Sequence, residues 1–221
     1  MSEFSLKWKH FWDGKTSPLH TKNDEEYYSF YGKELSLLFD NLKYDSVLEV
    51  GCGNGALYPY LGFSTKHYVG IDLSKSMLDS FKKKHASENL ELILVDAGEI
   101  YKDNKKYGLI FQNGVIQHFE SNMVDEFISS SCEMLHTGGK IVIGSIPWQL
   151  CKKGYYFGEF RPSQSSFLGK VYGYLRSSQG AMGRWYSFSD FRKLANKYSL
   201  KVEFFGSLLY AYRFHVVFTK E

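Results

Sequence analysis

Cysteine is scarce in this 221-residue chain. The three present, Cys52, Cys132 and Cys151, form an odd set without C-x-x-C spacing, which offers neither a disulfide framework nor a zinc ligand set. His10 and His20 have no partner at metal-ligand spacing, so no metal is expected. Long apolar runs are missing as well. No stretch reaches the roughly 18 residues of a membrane-spanning helix, and the opening "MSEFSLKWKHFWDG" lacks the continuous apolar segment of a secretion signal. Together these absences point to a soluble protein of the reducing cytoplasm. An excess of one charge is also lacking. Twenty-seven basic and 24 acidic residues leave a formal charge of +3, too small to signal polynucleotide binding by the chain as a whole. No internal repeat or low-complexity tract occurs.

What is present suits one globular domain, because a single core of this length is common. The 17 tyrosines and 18 phenylalanines exceed the needs of an ordinary core and suggest an aromatic-lined pocket, with an aromatic-rich core as the alternative. From Asp45 to about Ile146, the β-rich runs "SVLEV", "HYVGID", "LELILVD", "YGLIFQN" and "GKIVIGSI" alternate with helical patterns. Alternation of this kind predicts βαβ crossovers and a mostly parallel sheet covered on both faces. In "SKSMLDSFKKKH", Ser74 is placed to cap a helix that carries Met77, Leu78 and Phe81 on one face. "SNMVDEFISSSCEMLHTGG" reads as another helix, leaving at Gly138. The runs "KVEFFGSLLY" and "RFHVVFTK" predict an antiparallel pair that closes the sheet, giving seven strands. Outside the alternation stand residues 1–44, with the helical pattern "YYSFYGKELSLLFDNL" as an N-terminal cap, and residues 147–188, an insertion after the fifth strand.

The stretch "VLEVGCGNGALYPYLG" sets Gly51, Gly53 and Gly55 directly after the first apolar run. Glycine is needed where backbone approaches a ligand closely, so this turn marks binding at the sheet's carboxyl edge. Gly51, Gly53 and Ala56 also fit G-x-G-x-x-G/A, which alone suits NAD or FAD equally. Asp72 ends the second strand about twenty residues later, where a carboxylate accepts from both ribose hydroxyls. Glu49 and Asp96 then discriminate. An extra carboxylate at the turn repels a pyrophosphate and attracts an ammonium group. The ligand implied has a ribose and an amino-acid tail but no phosphate.

At residues 45–146 the sequence resembles the class I S-adenosylmethionine-dependent methyltransferases. "VLEVGCGNG" is similar to the family's first motif, "VGIDLSKSML" to its second, "VDAGEI" to its third, and "LHTGGKIVIG" to its signature before the fifth strand. The resemblance implies a Rossmann-like fold and S-adenosyl-L-methionine as cofactor, with S-adenosyl-L-homocysteine as product. It implies that Gly51, Cys52, Gly53 and Gly55 border the methionine part, which Glu49 helps to hold. Asp72 takes the ribose hydroxyls, Leu73 and Met77 flank the adenine, and Asp96 accepts from the adenine amino group with Ala97 alongside. Asn113 belongs to the loop "FQNGVIQHF" that borders the transferred methyl group.

Methyl transfer from a sulfonium is an in-line displacement, so the protein chiefly holds the nucleophile about 3 Å from the methyl carbon. A base is required only where the acceptor starts protonated, and His118 is the candidate because imidazole exchanges protons near neutral pH. The loop lacks the [DN]-PP-[YF] pattern of many nucleic-acid amino-group methylases. Between Trp148 and Phe188 stand Lys152, Lys153, Arg161, Lys170, Arg176 and Arg184 against one acid, Glu159. Such a segment can cover the site and clamp a phosphate or carboxylate. Arg184, Trp185 and Tyr186 of "GRWYSF" are the expected substrate contacts, with Tyr27 and Tyr31 from the N-terminal helix. The expected acceptor is a small anionic molecule, such as a phosphorylated or nucleotide-linked sugar or a polysaccharide precursor. A tRNA or rRNA methyltransferase and a non-catalytic cofactor-binding scaffold are the competing readings.

Overall fold

The computed structural model describes residues 24–39, 43–85, 87–95, 100–160, 165–179 and 182–221. Asp96, Ala97, Arg161, His10 and His20 lie outside the described residues. Seven strands form one sheet: β1 (Lys43–Val50), β2 (Ser64–Asp72), β3 (Leu90–Leu94), β4 (Tyr107–Asn113), β5 (Leu135–Pro147), β6 (Leu200–Gly206) and β7 (Arg213–Lys220). Their order is β3-β2-β1-β4-β5-β7-β6. The first five pair in parallel, while β7 runs antiparallel to both β5 and β6. This is the expected Rossmann-like sheet with one reversed strand.

Six helices accompany it among the described residues: α1 (Asp24–Ser36), α2 (Lys75–Lys84), α3 (Ser121–Met134), α4 (Lys152–Phe157), α5 (Phe167–Leu175) and α6 (Phe188–Tyr198). Two apolar clusters divide between the sheet's faces. On one face, Leu48, Ile110, Ile141 and Val216 pack against Phe127 and Ile128 of α3 and Phe191 of α6. On the other, Val47, Tyr68, Phe111 and Val142 pack against Leu35 of α1 and Phe81 of α2. Both surfaces of the central strands are therefore dry, which is why these strands read as nearly continuous apolar runs.

Local chemistry sets the helix ends. The Ser74 hydroxyl accepts from the Met77 amide at 3.4 Å, and Lys82, Lys83 and Lys84 sit in the last turn of α2, where positive charge complements the helix dipole. Ser187 and Asp190 form a reciprocal capping box at the start of α6. One boundary differs from expectation. The helix α3 stops at Met134, four residues short of Gly138, because Leu135 already pairs with Tyr107 and starts β5.

Candidate functional site

The carboxyl ends of β1, β2 and β4 meet at the glycine turn. Gly51 and Cys52 both donate their amides to the Ile71 carbonyl, at 2.8 and 3.0 Å, so the turn is tied to the end of β2. Asp72 completes the join. Its Oδ2 accepts from the Gly53 amide at 2.8 Å and its Oδ1 from the Ser74 amide at 2.9 Å. The Leu73 backbone also helps to hold this carboxylate, which keeps acceptor capacity for a ligand hydroxyl. Burial raises the Asp72 carboxyl above its ordinary range, and these backbone donors work against that rise.

Glu49 lies one strand away and is buried, with the Tyr68 hydroxyl donating to its Oε2. Burial, followed by the Asp72 charge, pushes its carboxyl up to about 8. Among the described residues no cation pairs with either of these two carboxylates, so this corner is prepared for a positively charged group. Cys52 is buried, and a Cβ at Gly70 would stand 3.0 Å from its sulfur, so it fills space beneath the turn. Met77 is buried and Leu73 half-buried. The structure thus brings Glu49, the glycines, Cys52, Asp72, Leu73 and Met77 to one edge of the sheet.

Asn113, at the end of β4, faces the other half of the site. Its Oδ1 accepts from the Tyr31 hydroxyl at 2.7 Å, which fastens α1 across the strand tips. Burial raises the Tyr31 phenol well above its ordinary value, so this group donates a hydrogen bond and does not release its proton. Tyr27 stacks on Tyr31, with ring centroids 5.8 Å apart, and its hydroxyl meets that of Tyr210 at 3.4 Å. The half-buried His118 ends a 3₁₀ turn, Ile116–His118, directly after β4.

The return limb of the insertion is stitched to that turn. The Arg184 amide donates to the Gln117 carbonyl at 2.9 Å, and the Tyr186 hydroxyl to the Ile116 carbonyl at 3.0 Å. Arg184 also donates through Nη1 to the Ser121 hydroxyl at 2.5 Å, at the start of α3. Trp185 packs against Tyr155 of α4, with centroids 5.4 Å apart. Among the described residues its indole N–H has no partner. Of the other basic residues in the insertion, Lys152 lies 4.5 Å above the Tyr174 ring and Arg176 lies 5.2 Å above that of Tyr172.

A buried polar chain escaped the sequence reading. Glu34 of α1 accepts at Oε1 from the Leu208 amide at 2.7 Å and stands 2.8 Å from His215 Nε2 on β7. His215 Nδ1 accepts from the Ser145 amide at 3.2 Å, which leaves the ring proton on Nε2, directed at Glu34. Burial opposes the Glu34 charge, but bonds from His215, Leu208 and Ser207 hold its carboxyl below the usual range. Ser145 has φ 60°, where β5 and β7 lose register between Ile143 and Ile146. Arg213, the first residue of β7, donates to the Ser145 carbonyl and hydroxyl. In the sequence, Arg213 stands between "YAY" and the mostly apolar run "FHVVF", with no local pattern that links it to Glu34 or Ser145. Among the described residues, no cluster of three or more His, Cys, Asp or Glu is suited to a metal ion. No described helix is long and apolar enough to cross a membrane.

Comparison with known proteins bears on this geometry. Residues 47–139 match the family model described as a methyltransferase domain. A ubiquinone biosynthesis O-methyltransferase from Pelagibacter ubique is 31% identical over 169 residues, spanning 71% of this chain and 67% of that relative. Among solved structures, the DhpI complex with S-adenosylhomocysteine superposes with TM-score 0.70 over 100% of this chain and 98% of its own, at 12% identity. The N-methyltransferase NodS from Bradyrhizobium japonicum, in complex with S-adenosyl-L-homocysteine, gives 0.64 over 99% of both chains at 15% identity.

Proposed function

The chain belongs to the class I S-adenosylmethionine-dependent methyltransferases, and from that premise we propose that it methylates an oxygen of a small anionic acceptor. It is a methyltransferase that uses S-adenosylmethionine. The observation that carries the finer reading is the division of the site at Asn113, with carboxylates and the glycine turn on one side and tyrosines, Trp185 and an arginine on the other. In this reading the chain is one methyltransferase domain, and α1 and residues 147–188 together cover the acceptor. The relatives lend no support to a sugar phosphate in particular.

The cofactor-side residues fit an adenosyl ligand on two counts. Asp72 keeps acceptor capacity beside the turn, and no described atom lies within 4 Å of where a Gly53 Cβ would stand. Bound S-adenosylmethionine supplies an electrophilic methyl carbon on a sulfonium. Asp72 holds the ribose, and Glu49 answers the positive charge of the amino-acid tail. Gly51, Cys52, Gly53 and Gly55 border that tail. Leu73 and Met77 lie along the base. Tyr31 locks Asn113, so the acceptor meets a fixed wall beside the methyl group. Arg184, Trp185, Tyr186, Tyr27 and Tyr31 line the acceptor side, and His118 takes a proton from the incoming hydroxyl. The His118→Ala enzyme is expected to lose turnover by about a hundredfold or more with unchanged cofactor affinity. Stopped-flow single turnovers beside calorimetry check this, and unaltered turnover removes the role.

Glu49 gives a pH test. With its carboxyl at about 8 in the free protein, most molecules hold it neutral at pH 6. Cofactor binding favours the charged form, so affinity is expected to rise by up to about tenfold per pH unit below that value. Measurement between about pH 5.5 and 6.7 keeps the ligand's own amine about nine-tenths protonated or more, since its ordinary pKa is about 7.7–8.0. Fold stability runs in the opposite direction, because the fold favours the neutral acid and loses this contribution as pH rises through 8. Glu49→Gln is expected to flatten the binding profile. Equal slopes in the two proteins would exclude Glu49 as the titrating group.

The direct test of function uses methyl-labelled cofactor with a cell extract fractionated into small molecules, RNA and protein. Label retained in the small-molecule fraction is expected. Label confined to RNA overturns the reading in favour of an RNA methyltransferase.

A further inference from the structure

We propose that Arg213 is the acceptor-recognition residue of this enzyme and takes the carboxylate of an aromatic acid. This rests on the small-acceptor reading above and names the substrate class.

Arg213 is half-buried and brings a guanidinium cation to this place. Its partners are all neutral: the Ser145 carbonyl, the Ser145 hydroxyl at 3.0 Å, and the Met182 sulfur at 3.4 Å from Nη2. The Tyr210 and Tyr212 rings each lie 5.9 Å from its central carbon. Among the described residues no carboxylate pairs with it. A thioether is a weak acceptor, so the Nη2 edge is the poorly satisfied one. A partly desolvated cation whose direct partners among the described residues are all neutral calls for an anion, and a guanidinium edge is matched in shape by the two oxygens of a carboxylate.

The surroundings place that anion at the acceptor. Arg213 pairs with Pro147, at the carboxyl edge of β5. Ser145 follows Gly144, whose ladder partner is Asn113. The anion therefore lies on the far side of Asn113 from the glycine turn. Around it Tyr212 packs on Tyr210 and Tyr155, with centroids 5.5 and 4.9 Å away, and Tyr155 on Trp185. Walls of this kind favour a flat ring.

The pose of Arg213 is held by the buried chain from α1. Ser145 tolerates its left-handed backbone because Glu34 orients His215, and His215 accepts the Ser145 amide. That backbone directs the Ser145 carbonyl at the guanidinium. Glu34 and His215 are positioning residues in this arrangement.

The test titrates protein saturated with S-adenosylhomocysteine with benzoate, benzamide, acetate and phenyl phosphate, following tryptophan fluorescence. Benzoate is expected to bind at least tenfold more tightly than benzamide and acetate. Arg213→Gln is expected to abolish the preference over benzamide, and Arg213→Lys, which keeps the charge but not the fork, to lose most of it. Affinity for S-adenosylhomocysteine should stay within about twofold in both variants, which also shows that they are folded. Equal affinity for benzoate and benzamide, or a preference surviving in Arg213→Gln, overturns the proposal. Tighter phenyl phosphate overturns the carboxylate, and acetate equal to benzoate overturns the aromatic ring. Label appearing only in RNA in the extract experiment, with benzoate recognition intact, defeats the small-acceptor reading and leaves the anion site standing.

Discussion

Asp72→Ala protein is expected to fold and to bind S-adenosylmethionine about a hundredfold or more weakly than the parent. Each hydrogen bond from a ribose hydroxyl to a charged acceptor contributes about 1.5–3 kcal/mol, so losing two gives roughly 3–6 kcal/mol. The carboxylate also bridges Gly53 and Ser74 at 2.8 and 2.9 Å, so its removal frees the turn from the end of β2. Because Asp72 is only half-buried, water can reach the released amides, and the fold should survive. Asp72→Asn should lose nearly as much, since its amide nitrogen cannot accept from either backbone donor. Calorimetry with the cofactor and with S-adenosylhomocysteine decides the point. Affinity within threefold of the parent in both variants would separate Asp72 from ribose binding.

The second large effect is a contrast between two glycines of one turn. A Cβ at Gly55, where φ is +69°, would stand 2.4 Å from the Phe81 ring. Phe81 is fully buried and packs on Tyr58 and Tyr68, so it has no room to retreat. Overpacking of about 1–3 kcal/mol together with about 1–2 kcal/mol for a left-handed alanine should make Gly55→Ala severely destabilised. At Gly53, where φ is +56°, nothing lies within 4 Å of the added carbon. Gly53→Ala should therefore lose only about 1–2 kcal/mol of stability. Its methyl group projects where the ligand backbone is expected, and cofactor affinity should fall at least tenfold. Urea denaturation and calorimetry, run on both variants, separate the two outcomes. Similar midpoints for the two proteins would refute the division between a packing glycine and a binding glycine.

The fold was readable because its signals are local. Strands buried on both faces leave apolar runs, and a crossover helix leaves a periodic stripe, so the seven strands could be recognised from short windows. The exit of α3 was misplaced because glycine is read as a helix terminator, whereas Gly138 lies within β5. The glycine turn and Asp72 were legible for the same reason of locality. The Glu34–His215–Ser145 chain was not. Its members lie 181 and 70 residues apart, and only the docking of α1 and the bulge opposite β7 bring them together. Arg213 was missed with them, since its place at the rim depends on the reversal of β7. Arg184, an expected substrate contact, gives one Nη1 bond to Ser121 at the start of α3.

The Glu34–His215 contact has a consequence for how such an enzyme can be re-specialised. It joins the described N-terminal helix to β7, so in the proposed reading the acceptor side draws on α1 and β7 together with the insertion after β5, while the cofactor cradle comes from β1, β2 and the turn between them. Exchanging α1 together with β7 as one cassette would transplant a new chemical preference onto an unchanged methyl-donor module, and replacing either segment alone would break the pair that holds them.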